Sequence, residues 1–187
     1  THTYTGYPMV KEAKQLIAQG TLGRTRKIYV EYPQGWLSTF LEGEGQTQAS
    51  WRTDPKKSGK VGAMGDIGTH AFNLAEYVSG EKIKSVCAQL NTVVQGRALD
   101  DDGAVMFTTE SGATGVLMAT QIAAGEENNL KIRVFGEKGG LCWEQADNNT
   151  LTVMPLDQPV QKLRTGGPGT SDFSLANHRV PPGHPEG

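Results

Sequence analysis

A chain of 187 residues with 36% hydrophobic and 20% charged residues is long enough for one substantial core and too apolar for a disordered segment or a coiled coil. Its net charge of -2 offers no basic footprint for nucleic acid, no apolar run approaches the ~20 residues of a membrane span, and no signal peptide is visible. Cys87 and Cys142 stand alone in strand-like segments without metal-ligand spacing, and read as reduced core residues of a cytoplasmic protein.

In chain order, residues 7–19 read as a helix, with Pro8 in the first turn, an apolar stripe of Val10, Ala13, Leu16 and Ile17, and Gly20 at the exit. Residues 27–32 read as a strand. A long irregular stretch, 33–65, holds Trp36 and Trp51 among glycines and prolines and reads as a substrate-side loop. A second helix is predicted over 66–78, turning Ile67, Ala71, Leu74 and Val78 toward the core, with Gly80 beyond its end. Strands follow at 83–95, 103–110, 113–123, 130–135, 140–144 and 151–154, joined by hairpin-grade turns such as Ser111-Gly112 and Glu137-Lys138-Gly139. Residues 158–187, with Gly166-Gly167-Pro168-Gly169 and Pro181-Pro182, read as an extended arm. The fold expected is α+β: a largely antiparallel open sheet with helices packed on one face. Val116 and Met118 alternate with Leu117 and Ala119, so both faces carry apolar side chains, and the face away from the helices is expected to pair with another copy of the chain.

The sharpest chemical signal is Gly65-Asp66-Ile67-Gly68-Thr69-His70, which sets a carboxylate and an imidazole about one helical turn apart where a glycine-punctuated loop enters the second helix. A carboxylate beside a histidine raises its proton affinity and fixes its orientation, as a general base near neutral pH requires. The plainer alternative makes Asp66 a helix cap and His70 an ordinary, partly buried histidine. Asp100-Asp101-Asp102 has no spaced ligand set and reads as a solvated turn. His70 and Asp66 joining His2, His178 or His184 around zinc or manganese is a minor alternative without supporting spacing, and no metal is assigned.

Trp51-Arg52-Thr53-Asp54-Pro55, Ser58-Gly59 and the run from Gly62 to His70 resemble the central signature of the Gfo/Idh/MocA oxidoreductases. Thr3 to Pro8, Gly20-Thr21-Leu22-Gly23, Glu31 to Leu37, Arg133 to Gly140 and Pro182 to Gly187 resemble the same family in matching order, so the likeness covers nearly the whole chain. It implies a C-terminal domain like that of glyceraldehyde-3-phosphate dehydrogenase. Family members also carry a Rossmann domain with G-x-G-x-x-G and a Glu-Lys-Pro motif whose lysine joins the active site. Neither motif occurs here, so residues 1–187 are expected to be one substrate-binding and catalytic domain, truncated at both ends and inactive alone.

The resemblance implies that the parent is an NAD- or NADP-dependent dehydrogenase interconverting alcohol and ketone on a sugar, polyol or inositol-like substrate. His70 then takes the hydroxyl proton with Asp66 beside it. Asn73 stands where many relatives carry aspartate. Arg52 can bond substrate oxygens and Trp51 can stack on a sugar face, with loop anchoring by packing and a surface ion pair as the equal alternative for both; Trp36 can line the substrate pocket, and His184 is a further candidate for the substrate. Tyr4 and Gln34 are expected near the cofactor. A noncatalytic sugar-binding or oligomerisation module of the same fold is the alternative from another class.

Overall fold

The structure is a computed structural model that describes residues 1–184. Eight strands form one sheet in the order β2-β3-β4-β1-β5-β6-β7-β8. They are β1 (Thr25–Pro33), β2 (Ile83–Asn91), β3 (Asp102–Thr109), β4 (Thr114–Thr120), β5 (Lys131–Gly136), β6 (Gly139–Glu144), β7 (Thr150–Pro155) and β8 (Gln161–Arg164). Every pairing is antiparallel except that of β1 with β4. The expected succession of hairpin-joined strands is thus split at its middle: β1 inserts between β4 and β5, since its alternating Ile28, Val30 and Tyr32 are all buried and suit a central position.

Helices α1 (Pro8–Ala18) and α4 (Thr69–Ser79) cover one face. Met9, Val10 and Ala13 from α1 and Ala71, Leu74, Ala75 and Val78 from α4 meet Ile28, Leu117, Ile132, Val134, Leu141 and Trp143 of the sheet in one buried cluster. Truncating a fully buried member such as Leu74 to alanine should cost about 2–5 kcal/mol. Gly80 ends α4 at φ 72, a left-handed conformation that a side chain would strain. On the opposite face Met106 and Met118 are largely exposed, and Arg133 lies over the Tyr29 ring. Cys87 is exposed there rather than in the core, because its partner across the ladder is Met106 and both side chains point away from the helices. Among the described residues no helix is long and apolar enough to cross a membrane.

Three further expectations are corrected. Residues 33–65 are not irregular throughout: they hold a short 3-10 turn and the helices α2 (Thr47–Arg52) and α3 (Pro55–Ser58), capped by the side chains of Gln46 and Asp54. Residues 158–184 contribute β8, paired to β7, and a short helix α5 (Asp172–Leu175), anchored to α1 where Glu12 accepts hydrogen bonds from Ser171. The remainder of the expected arm, 185–187, lies outside the described residues.

The aspartate triplet is structural rather than a solvated turn. Asp100 accepts the amides of Gly62 and Met64, Asp101 accepts those of Val93 and Val94, and Asp102 accepts the Asn91 side chain. Asp101 also meets Arg97 Nη1 at 3.2 Å, and Arg97, whose side chain is 1% exposed, forks onto Glu42 at 2.8 and 3.0 Å. The remaining guanidinium donors reach the carbonyls of Leu37 and Thr39. Burial of the charges is offset by this full set of partners, and the network fastens the loop after β1 to the sheet edge. Gly62 fits because a Cβ there would lie 2.1 Å from the Asp100 carbonyl oxygen.

Candidate active site

The parallel pairing of β1 with β4 brings both carboxyl ends to one end of the sheet, with Pro33 opposite Thr120. Gln34 and Gln121 follow directly and are hydrogen-bonded to each other; Gln34 lines a cleft of about 450 Å³, and Gln121 lines its neighbour. The helix-side wall of the first cleft is a π turn, Met64–Gly68, that leads into α4. There the Thr69 amide reaches back to the Met64 carbonyl, widening the turn that carries Asp66. The second helix thus starts as a π turn, and Asp66 lies within it rather than at an N-cap position.

Tyr4, Gln34, Trp36, Arg52, Asp66 and His70 all line this cleft, joined by Tyr32, Gln46, Gln48 and Asn128. Trp51 lines a neighbouring cleft of about 320 Å³ that shares Arg52 and Asp66 with the first. Asn73 lines an apolar groove between α4 and the edge strands, beside Phe72 and Val86. His184 stands outside these clefts, its carbonyl accepting from Asn149 Nδ2 at 3.0 Å.

Asp66 and His70 do not hydrogen-bond to each other. Asp66 Oδ2 accepts from Gln121 Nε2 at 2.8 Å and lies 3.4 Å from Arg52 Nε. Arg52 Nε is close enough for an ion pair yet makes no aligned hydrogen bond, whereas its Nη1 donates to Gln48 Oε1. The guanidinium also sits 4.5 Å from the Trp51 ring centre and 5.8 Å from that of Trp36, so both indoles hold it by cation–π attraction. His70 Nδ1 faces His2 Nδ1 at 3.4 Å, and the Tyr4 ring meets the imidazole edge-on. Burial, and then the neighbouring His2, depress the His70 pKa below its ordinary value, while the Asp66 charge works in the opposite direction.

A second set of bonds stiffens the floor. Burial first, and then Tyr4, push the Tyr32 phenol well above its ordinary pKa, so it stays protonated and donates to Asn128 Oδ1 at 2.8 Å. Tyr4 OH therefore donates to Tyr32 OH. Gln34 Nε2 donates to the same Asn128 oxygen at 2.6 Å, and Gln34 Oε1 accepts from Trp36 at 3.0 Å and Gln121 at 3.3 Å. Sequence reasoning missed Gln121, Asn128, Gln46 and Gln48. For Gln121 a signal existed: it continues the core-facing alternation of Leu117 and Ala119, where a polar residue requires a buried partner.

Fold and cleft together define an open-sheet α+β domain with an imidazole, a carboxylate, a guanidinium and several side-chain amides around one polar cavity. Residues 10–142 match the family model described as the GFO/IDH/MocA C-terminal domain. The uncharacterized oxidoreductase YfiI of Bacillus subtilis (strain 168) is 31% identical over 190 residues, covering 100% of this chain and 48% of that protein. A crystal structure of an oxidoreductase from Sinorhizobium meliloti is 41% identical with a TM-score of 0.86, over 100% of this chain and 48% of that one. An inositol dehydrogenase homologue from Azotobacter vinelandii, complexed with NAD+, is 32% identical with a TM-score of 0.95, again over 100% of this chain and 48% of that one. A second structure, with NADH and myo-inositol, is 30% identical with a TM-score of 0.90 and covers 100% of this chain and 47% of that one. The chain belongs to the Gfo/Idh/MocA family. It spans about half the length of the curated relatives it matches.

Proposed function

We propose that this chain is the substrate-binding and catalytic domain of an NAD- or NADP-dependent dehydrogenase that interconverts an alcohol and a ketone on a sugar, polyol or inositol-like substrate. The observation that carries this reading is the cleft itself. A histidine whose pKa burial depresses, and which is therefore neutral at pH 7, stands in it with Arg52 and with amides that can both donate to and accept from hydroxyl groups. In the oxidation direction His70 takes the hydroxyl proton. Arg52 and Gln48 hold neighbouring oxygens, Trp36 offers an apolar face to ring carbons, and the Asp66 charge stabilises the imidazolium once formed. Asn73, Trp51 and His184, which lie outside this cleft, have no part in that scheme.

The residues present fit only the reacting end of a dinucleotide. Gly136, Gly139 and Gly140 belong to the β5–β6 hairpin, where they serve a turn and offer no phosphate cradle. Tyr4 and Gln34 would hold the nicotinamide end, against a floor that their hydrogen bonds keep rigid. When bound, the nicotinamide supplies the hydride acceptor for the substrate carbon. We also propose that Met106, Met118 and Tyr29 on the open sheet face pack against a second copy, since a two-fold contact covers one self-complementary patch.

The test is turnover by the full-length protein with NAD+ or NADP+ and a panel of cyclic polyols and sugars that includes myo-inositol, read as reduced nicotinamide formed. Saturable oxidation of at least one polyhydroxylated ring is expected. Tight dinucleotide binding with no turnover of any member would overturn the catalytic reading in favour of a binding module.

A further inference from the structure

His70 was expected to be oriented by Asp66, yet Asp66 is committed to Gln121 and Arg52. The ring's hydrogen-bond partner is instead His2, Nδ1 to Nδ1 at 3.4 Å, with ring centres 5.3 Å apart and planes at 86°. Such a perpendicular meeting lets an in-plane N–H of one ring address the in-plane lone pair of the other. The position of His2 is set by the 3-10 turn Thr3–Gly6, in which Thr5 Oγ1 donates to the His2 carbonyl at 3.1 Å. The Tyr4 ring, from that same turn, meets the imidazole at 85° and 5.1 Å, so His70 is confined by two side chains of one short segment.

We propose that His2 is the positioning residue of His70, accepting its Nδ1 proton and thereby leaving Nε2 as the basic nitrogen. The proposal rests on reading His70 as the base. Of the two ways to share one proton between the facing nitrogens, only this one survives the reaction. If His2 donated instead, neutral His70 would carry its proton on Nε2 and could accept another only at Nδ1, against the His2 N–H. With His2 as acceptor, Nδ1–H stays in place while Nε2 gains and loses the substrate proton. The hydrogen bond on one ring nitrogen decides the role of the other, here with imidazole doing what a carboxylate does in a catalytic triad.

The experiment is a long-range proton–nitrogen correlation spectrum of the full-length protein labelled with 15N-histidine, alongside kcat and dinucleotide Kd. Neutral wild-type His70 should be the Nδ1–H tautomer. In His2→Ala it should shift toward the Nε2–H form that free histidine favours, with kcat falling about 10–100-fold and dinucleotide Kd unchanged. His2→Asn, whose side-chain carbonyl can accept from Nδ1, should restore both tautomer and most of the rate. An Nε2–H tautomer in the wild type, or an unchanged tautomer in His2→Ala, overturns the proposal. A tautomer that shifts with no change in kcat upholds the His2 contact and overturns His70 as the base.

Discussion

Gln121 donates its side-chain amide to Asp66 Oδ2 at 2.8 Å and reaches Gln34 Oε1 at 3.3 Å with the same nitrogen. One buried amide thus ties the end of β4 to the loop after β1 and to the π turn before α4, the three segments that shape the cleft. Gln121→Leu would leave both oxygens without this donor, so it should destabilise the fold by about 1–3 kcal/mol. It should also lower kcat/KM of the full-length protein by about tenfold through a looser Asp66, measured by urea unfolding alongside steady-state kinetics. Gln121→Glu should be worse than Leu for activity, because it sets a second carboxylate against Asp66.

The Arg97 network makes a prediction about folding alone. Removing the guanidinium strands Asp101 and Glu42 without a cation, so Arg97→Ala should cost about 3–5 kcal/mol, and Arg97→Lys should recover only part because a single ammonium cannot form the fork onto Glu42. Burial alone would raise the Glu42 pKa, but the hydrogen bond and charge of Arg97, together with a backbone hydrogen bond and Thr53, outweigh it and the net shift is downward. A depressed carboxylate contributes stability above its unfolded pKa of about 4.3 and loses it as pH falls through the folded value. Glu42→Gln should therefore make the acid side of a stability–pH curve less steep below about pH 4.5, removing the Glu42 contribution while other depressed carboxylates such as Glu76 keep theirs.

How far the sequence reveals this molecule depends on the range of the interaction. Local signals placed α1, the two strands around Ser111-Gly112 and the β5–β6 hairpin, because periodicity and turn residues act over a few positions. The parallel insertion of β1 beside β4 is set by contacts between residues 27–33 and 114–120, and no local pattern encodes it. For the site, Asp66, His70 and Arg52 stand out in the sequence by residue type and the fold brings them to one cleft, but their hydrogen-bond partners are not readable from it. Spacing predicts that Asp66 bonds His70, whereas Asp66, carried on the widened π turn, bonds the Gln121 amide and lies beside Arg52 while still lining the same cleft as His70. The three aspartates looked like a turn because charge alone does not show that Arg97 and a row of backbone amides converge on them.

On the open face, Met106 is 60% exposed and Met118 47% in the single chain. If a second copy covers them, Met106→Lys with Met118→Lys should move the full-length protein from an oligomer to a smaller species in sedimentation velocity at micromolar concentration, with its far-ultraviolet circular dichroism unchanged. A wild-type protein that sediments as a monomer would remove the reason for that face.

The Asp66 charge is the one influence raising the His70 pKa against burial and His2. Asp66→Asn should therefore shift the acidic limb of the kcat/KM profile for alcohol oxidation to lower pH, since a less stabilised imidazolium deprotonates more readily. An unmoved or rising limb would mean that Asp66 serves Arg52 and Gln121 only.

The most direct measurement is kcat for the full-length His70→Asn protein, compared with wild type at matched thermal stability and with dinucleotide Kd determined on both. A general base predicts a loss of roughly 10²–10⁴-fold in kcat, with Kd and melting temperature nearly unchanged, because only proton transfer has been removed. A stable His70→Asn protein with near-normal kcat would contradict the account.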